Sequence, residues 1–101
     1  MKSAGRRSGK SFRKILTALI AASEGQDVLY LSENRTRARY YLESAKRVGL
    51  SYVSSDFISE DKSGSILIFG KDERLGTIRF FDRQDGERTI GLKFDLIIED
   101  D

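Results

Sequence analysis

The sequence predicts an α/β fold in which a mainly parallel sheet carries an added antiparallel hairpin. Two segments repeat apolar residues at helical spacing, and each is followed by a glycine that can end a helix. Four short apolar runs lie between polar or glycine-containing stretches, as strands do. A chain of 101 residues, 39% hydrophobic and 34% charged, has the size and composition of one folded domain.

The first helix is predicted from about Gly9 to Ser23, with its end near Gly25. Its apolar positions recur every three or four residues, and the alanines among them favour a helix. These apolar positions are Phe12, Ile15, Leu16, Leu19 and Ile20. The run Asp27–Ser32, DVLYLS, is short, apolar and bounded by polar residues, which is typical of a strand buried on both faces.

A second helix is predicted after this strand, capped by Asn34 or Ser32 and ended by Gly49. Its apolar stripe consists of Ala38, Tyr41, Leu42, Ala45 and Val48. The next residues, Leu50 to Val53, have the composition of a very short strand. The polar segment Ser54–Gly64 is predicted to be irregular.

The second half of the chain predicts three more strands. Ser65–Phe69 and Thr77–Phe81 are expected to pair as an antiparallel hairpin across the loop GKDERLG. A second loop, DRQDGER, leads to KFDLIIED, where Leu96, Ile97 and Ile98 are expected to belong to another buried strand.

The composition excludes several kinds of chemistry. The chain has no cysteine and no histidine, which removes disulfides, thiol catalysis, histidine bases and the usual zinc sites, so a metal would be held by oxygen. No apolar run approaches the ~20 residues that cross a bilayer, and the start lacks a signal-peptide pattern. We therefore expect no membrane partner and a cytoplasmic location, the host cytoplasm if the protein is viral.

The charges are unevenly distributed along the chain. The first 23 residues carry six basic residues and no acid, a formal charge of +6 against a total of +2, so the remaining residues carry −4. At the other end, FDLIIEDD contains four acids: Asp95, Glu99, Asp100 and Asp101. A nucleotide bound with Mg²⁺ is a partner that suits both ends.

The stretch AGRRSGKS, Ala4 to Ser11, matches the phosphate-binding pattern [A/G]-x-x-x-x-G-K-[S/T]. In such a loop, backbone amides surround the phosphates, the lysine reaches the β- and γ-phosphates, and the hydroxyl ligates Mg²⁺. The predicted nucleotide-binding residues are Ala4, Gly5, Arg7, Ser8, Gly9, Lys10 and Ser11. The alternative is a flexible basic tail before an ordinary amphipathic helix, because Met1–Ser3 is too short and too polar for the strand that normally precedes the loop.

A second motif is the apolar strand that ends in acids, LIIEDD. A carboxylate at the carboxyl end of a strand is the usual complement to the hydroxyl of the phosphate loop in holding Mg²⁺. In this arrangement Asp100 would bind the metal with Ser11, and Asp101 would orient or deprotonate the attacking water. The alternative is a solvated acidic tail.

Taken in order, AGRRSGKS, VLYLSENRTRARYYLESA, GTIRF and IGLKFDLIIEDD resemble the ATPase domain of phage terminase large subunits, the motors that package viral DNA. The resemblance implies a partial P-loop fold over residues 1–101, a single truncated domain from Walker A to Walker B. It also implies ATP and Mg²⁺ as ligands, with Arg6 as a catalytic arginine supplied in cis. The sequence departs from the family in lacking the strand before the loop and in having Asp101 where the family has a glutamate.

These features together predict an ATP-binding terminase-like fragment or small homologue, with Mg²⁺-dependent hydrolysis as its reaction. One alternative is a non-catalytic remnant that binds a companion chain supplying the missing strands. The other is a basic module that binds DNA through the basic N-terminus and the arginine-rich second helix, which contains Arg35, Arg37 and Arg39.

Overall fold

The computed structural model describes residues 2–84, 89 and 91–100, and for residues 2–10 it describes the backbone alone. Within these residues the chain forms two helices and five strands. In chain order they are α1 (Lys2–Ser23), β1 (Asp27–Ser32), α2 (Arg35–Leu50), β2 (Ile58–Glu60), β3 (Ile66–Phe69), β4 (Gly76–Asp82) and β5 (Leu96–Asp100). The predicted α/β class is confirmed.

The strands form one mixed sheet in the order β2-β3-β4-β1-β5. The central strand β1 is parallel to both β4 and β5, whereas β3 is antiparallel to β2 and β4. The predicted hairpin is therefore confirmed as the β3–β4 pair. The expectation of a mainly parallel sheet is wrong, because β2 adds a second antiparallel pairing and the sheet is evenly mixed.

Both helices pack on the same face of the sheet. Val28 and Tyr30 of β1 point to one face because side chains alternate along a strand. They belong to a single buried cluster with residues of both helices, among them Ile15 of α1 and Leu42 of α2. The core therefore lies between the helical layer and this face of the sheet.

Phe94, which shortly precedes β5, lies on the opposite face of the sheet. Arg79 alternates with the core residues of β4, and its guanidinium lies 5.9 Å from the ring centroid of Phe94, which precedes β5. The chain after β1 thus forms α2 on the helical face of the sheet. Phe94, before β5, lies on the other face. Adjacent parallel strands followed by segments on opposite faces leave a crevice at their carboxyl ends, where α/β sheets bind ligands.

Local turns confirm two predicted boundaries and correct others. Gly25 has φ 97° and ends the first helix, and Asn34 is the N-cap of α2, accepting a 2.9 Å hydrogen bond from the backbone nitrogen of Arg37. The first helix begins at Lys2 rather than at Gly9. The polar segment predicted to be irregular contains β2, because β3 supplies the partner for its backbone.

Gly49 does not end α2, which continues to Leu50, and the predicted short strand from Leu50 to Val53 is wrong. The reason is packing. Gly49 is buried, and a Cβ built on it would lie 2.6 Å from the Cδ1 atom of Ile58 and 3.4 Å from the Cδ2 atom of Leu19. The glycine therefore permits close contact between α2, α1 and β2.

Neither of the two helices in the described part of the chain combines the length and the apolar character that a membrane span requires.

Candidate functional site at the carboxyl end of the sheet

Three buried polar residues lie side by side where the parallel strands end. Ser32, the last residue of β1, pairs in register with Asp82 of β4 and with Asp100 of β5. Their exposed fractions are 0%, 5% and 4%. Residues in register on parallel strands point to the same face, so the three side chains share the face that Tyr30 and the helices occupy.

Asp100 has two partners on this face. The hydroxyl of Tyr30 donates a 2.7 Å hydrogen bond to its Oδ2 atom, and the Nζ atom of Lys14 lies 3.7 Å from its Oδ1 atom. Burial, the hydrogen bond to Asp100 and the charge of that carboxylate raise the pKa of Tyr30 well above its ordinary value. The phenol is therefore neutral and acts as a hydrogen-bond donor to the buried carboxylate.

Lys14 joins α1 to the end of β5. Besides its contact with Asp100, its ammonium donates a 2.7 Å hydrogen bond to the backbone oxygen of Glu99. Ser11, half-buried, precedes Lys14 by three residues on α1, a spacing that makes side chains neighbours on a helix surface. The helix turn that carries Ser11 therefore lies close to the carboxyl end of β5.

The hydroxyl of Ser32 is the unusual group in this cluster. Its Oγ atom is buried and has no hydrogen-bond partner, whereas the other buried side-chain oxygens and nitrogens among the described residues each have one. Burying an unsatisfied polar group costs about 1–3 kcal/mol, so folded proteins keep few of them. The strand ends therefore contain a buried hydroxyl whose hydrogen-bonding capacity is unused.

Of the predicted metal ligands, Asp100 lies at the carboxyl end of β5. Ser11 lies on α1, three residues before Lys14, which contacts this end of the sheet. The side chains of the remaining predicted phosphate-loop residues lie outside the described part of the chain, as does all of Asp101. The side chains in question are those of Ala4, Gly5, Arg6, Arg7, Ser8, Gly9 and Lys10.

The oxygens at this end are of the kind that Mg²⁺ prefers. Within the described ranges, no group of three or more acidic side chains is placed to hold a metal by itself. Mg²⁺ is commonly held by only one or two carboxylates together with the phosphates of a nucleotide, and it keeps several waters. Asp100, with Ser32 in register beside it on β1, fits that pattern.

Sequence reasoning missed the roles of Ser32, Tyr30 and Lys14. The sequence predicts Ser32 only as a strand end or helix cap, Tyr30 as part of a buried strand and Lys14 as one of six basic residues near the start of the chain. What joins them is the register of β1 against β5, since Ser32 lies opposite Asp100 only in that register. An alternation pattern does not reveal a register between strands that are distant in sequence.

The arginines of α2 are largely engaged within the protein. Arg39 contacts Glu43 at 2.8 Å and Glu60 at 3.3 Å, and it donates a 2.9 Å hydrogen bond to the backbone oxygen of Gly64. Arg37 donates a 3.2 Å hydrogen bond to the hydroxyl of Tyr41. The ion pairs of Arg39 with Glu43 and Glu60 reduce the positive charge that α2 offers to a nucleic-acid backbone, whereas the bond of Arg37 to a neutral hydroxyl only orients its side chain.

A cavity of about 350 Å³ lies beside Arg35 and Arg39, against the turn 63–65. The carboxylate of Asp61 accepts hydrogen bonds from two backbone nitrogens at that turn, at 3.0 Å from Ser65 and at 2.9 Å from Ile66. Burial alone would raise the pKa of Asp61, but the hydrogen bonds from Ser63, Ile66 and Ser65 outweigh it and lower the pKa below its ordinary value. The turn therefore holds an internal anion.

Searches of protein-family models, curated proteins and solved structures found no match to this chain.

Proposed function

We propose that this protein is a terminase-like ATP-binding domain that takes ATP and Mg²⁺ at the carboxyl end of its sheet. The observation that carries the proposal is the contact of α1 with the end of β5 through Lys14, which donates to the backbone of Glu99 and faces Asp100. One cation of the basic segment thereby adjoins one of the terminal acids. A triphosphate with its metal needs both kinds of charge within a few ångströms.

Each candidate residue has a role in this proposal. Lys10 binds the β- and γ-phosphates, and the hydroxyl of Ser11 and the carboxylate of Asp100 hold the metal. Bound Mg²⁺ supplies charge neutralisation to the phosphates. Arg6 stabilises the charge that develops on the transferring phosphoryl group, and Asp101 orients the attacking water.

Binding in this way requires the first turns of α1 to open. The backbone from Lys2 onward is helical, and amides inside a helix bond within it, so they do not surround phosphates. Gly5 and Gly9 each weaken a helix by about 1 kcal/mol relative to alanine. The first turn has no acid, and basic residues oppose the positive dipole of a helix N-terminus. These residues favour a change from helix to phosphate loop when an anion binds.

The test is a calorimetric titration of the protein with ATP in the presence of Mg²⁺. We expect Lys10→Ala to weaken binding by at least about tenfold, since a hydrogen bond to a charged group is worth roughly 1.5–3 kcal/mol. Lys71→Ala is the matched control, because Lys71 is exposed and pairs with Asp56 away from the site. Equal affinity of the two variants, or no binding by the unmodified protein, would overturn the proposal.

A second candidate is a non-catalytic domain that accepts a strand from a companion chain. In the sheet of the described residues, β5 lies at an edge, and its residue Ile97 is 55% exposed. An edge strand presents unpaired backbone groups that another strand can complete. Steady ATP hydrolysis by the purified chain would argue against this candidate.

DNA binding is a weaker candidate, since Arg37 and Arg39 of α2 already contact other side chains of the protein. Salt-sensitive DNA binding without nucleotide binding would favour it.

A further inference from the structure

We infer that Asp100 and the hydroxyl of Ser32 form a site for a hydrated divalent cation of the Mg²⁺ class, and that the ammonium of Lys14 competes with that cation for Asp100. The inference rests on the proposed nucleotide site and adds to it two residues, Ser32 and Lys14, that the phosphate-loop motif does not include. It concerns the cation alone, so nucleotide is not needed to test it.

The two oxygens of Asp100 differ in their surroundings. The Oδ2 atom accepts the 2.7 Å hydrogen bond from Tyr30, which fixes the orientation of the carboxylate. The Oδ1 atom faces the ammonium of Lys14 at 3.7 Å, which is longer than a hydrogen bond. The attraction at Oδ1 is therefore one of charge, and a metal ion can replace it.

Lys14 can leave Asp100 at little cost. Its shortest contact is the 2.7 Å hydrogen bond to the backbone oxygen of Glu99, which does not depend on the carboxylate. The lysine side chain is 38% exposed, so its ammonium can turn toward solvent. The ammonium thus behaves as a tethered cation that neutralises a buried acid when no metal is bound.

Ser32 supplies an independent reason for a ligand at this position. Neighbouring strands lie 4.7–4.9 Å apart on average, and Ser32 is in register with Asp100 on the same face. Its hydroxyl is fully buried and lacks a partner. A hydrated cation on Asp100 would satisfy this hydroxyl directly or through one of its waters, because metal-oxygen bonds of about 2.1 Å and a water span such a gap.

The experiment is a titration of the protein with Mn²⁺ alone. Binding is measured as the loss of the electron paramagnetic resonance signal of free Mn²⁺. Removing the competing charge with Lys14→Met should raise Mn²⁺ affinity by at least about tenfold, since charges a few ångströms apart interact strongly near a protein surface. Lys46→Met is the matched control. Lys46 pairs with Glu60 at 3.1 Å, and its side chain is 39% exposed against 38% for Lys14.

Two further variants identify the ligands. Asp100→Asn should remove the binding that Lys14→Met strengthens. In the Lys14→Met background, Ser32→Ala should lower Mn²⁺ affinity by about threefold to tenfold without lowering thermal stability, because it also removes an unsatisfied hydroxyl. A purely structural serine would leave the affinity unchanged.

Thermal melts keep the inference falsifiable if Asp100→Asn fails to fold. Added Mg²⁺ should raise the melting temperature of Lys14→Met more than that of Lys46→Met. The reason is that Lys14→Met removes the cation beside Asp100, whereas Glu60 keeps its ion pair with Arg39 in Lys46→Met. Equal Mn²⁺ affinity and equal Mg²⁺ response in the two lysine variants would overturn the inference. Such a result together with normal ATP binding would leave the proposed function intact, whereas the expected Mn²⁺ results without ATP binding would overturn the proposed function alone.

Discussion

The two ends of the parallel strands differ in how their polar groups are paired. At the amino end, the hydroxyl of Thr77 donates a 2.8 Å hydrogen bond to Asp27, and the carboxylate of Asp95 accepts a 2.8 Å hydrogen bond from the backbone nitrogen of Asp27. The backbone nitrogen of Asp95 in turn donates to the backbone oxygen of Asp27. At the carboxyl end, the hydroxyl of Ser32 has no partner, and Asp100 meets its lysine at 3.7 Å.

This difference separates a stabilising end from an end suited to binding. The polar groups of the amino end bond to one another and join β1, β4 and the start of β5. At the carboxyl end, Asp100 and the hydroxyl of Ser32 are buried with fewer bonds than they can make, which costs stability and leaves capacity for a ligand. The same division is common in α/β sheets, where ligands bind beyond the carboxyl ends of the strands.

The largest effect is expected at Gly76, the first residue of β4 at the amino end. A Cβ built on Gly76 would collide with the backbone oxygens of Ala22 and Gln26. Because these atoms belong to the main chain, they yield only if α1 or β1 shifts. Gly76→Ala should lower the free energy of unfolding by about 3 kcal/mol, measured by urea denaturation.

Gly91→Ala is the control for this substitution. A Cβ at Gly91 meets nothing within 4 Å, but its φ of 83° disfavours alanine, so a loss of about 1 kcal/mol is expected. A loss at Gly76 no larger than at Gly91 would show that the amino end is not tightly packed.

A smaller effect is expected from Thr77→Val at the same end. Thr77 is fully buried, and the substitution removes the donor to Asp27 while keeping the shape of the side chain. The loss should be about 1–2 kcal/mol, because the carboxylate loses a partner that water does not fully replace. Thr17→Val, on the exposed side of α1, is the control and should change stability by less than about 0.5 kcal/mol. Equal effects at the two threonines would contradict the pairing described for the amino end.

Local patterns in the sequence were sufficient for most of the elements. The strand β1, the helix end near Gly25 and a helix cap at Asn34 or Ser32 each depend on neighbouring residues. These predictions are confirmed, with Asn34 as the cap. The errors occur where distant residues decide. Gly49 continues a helix because Ile58 packs against it, and β2 forms because β3 pairs with it. Neither contact is visible in a local pattern.

The candidate site was predictable only in part, for the same reason. The acids at the end of β5 are evident from sequence, and Asp100 is indeed at the end of a strand. The partners of Asp100 are Tyr30 and Lys14, which lie 70 and 86 residues away along the chain. Their roles follow from strand register and from the packing of α1, so they become apparent only in the folded protein.

The smallest and most informative change in stability is expected from Ser32→Ala at the carboxyl end. This serine and Thr77 are both fully buried hydroxyl residues on adjacent parallel strands, but only the hydroxyl of Thr77 has a partner. Removing an unsatisfied hydroxyl should leave the free energy of unfolding unchanged or raise it by up to about 1 kcal/mol, as measured by urea denaturation without metal. A loss similar to that of Thr77→Val would mean that the hydroxyl is already bonded in the ligand-free protein, and the contrast between the two ends would then disappear.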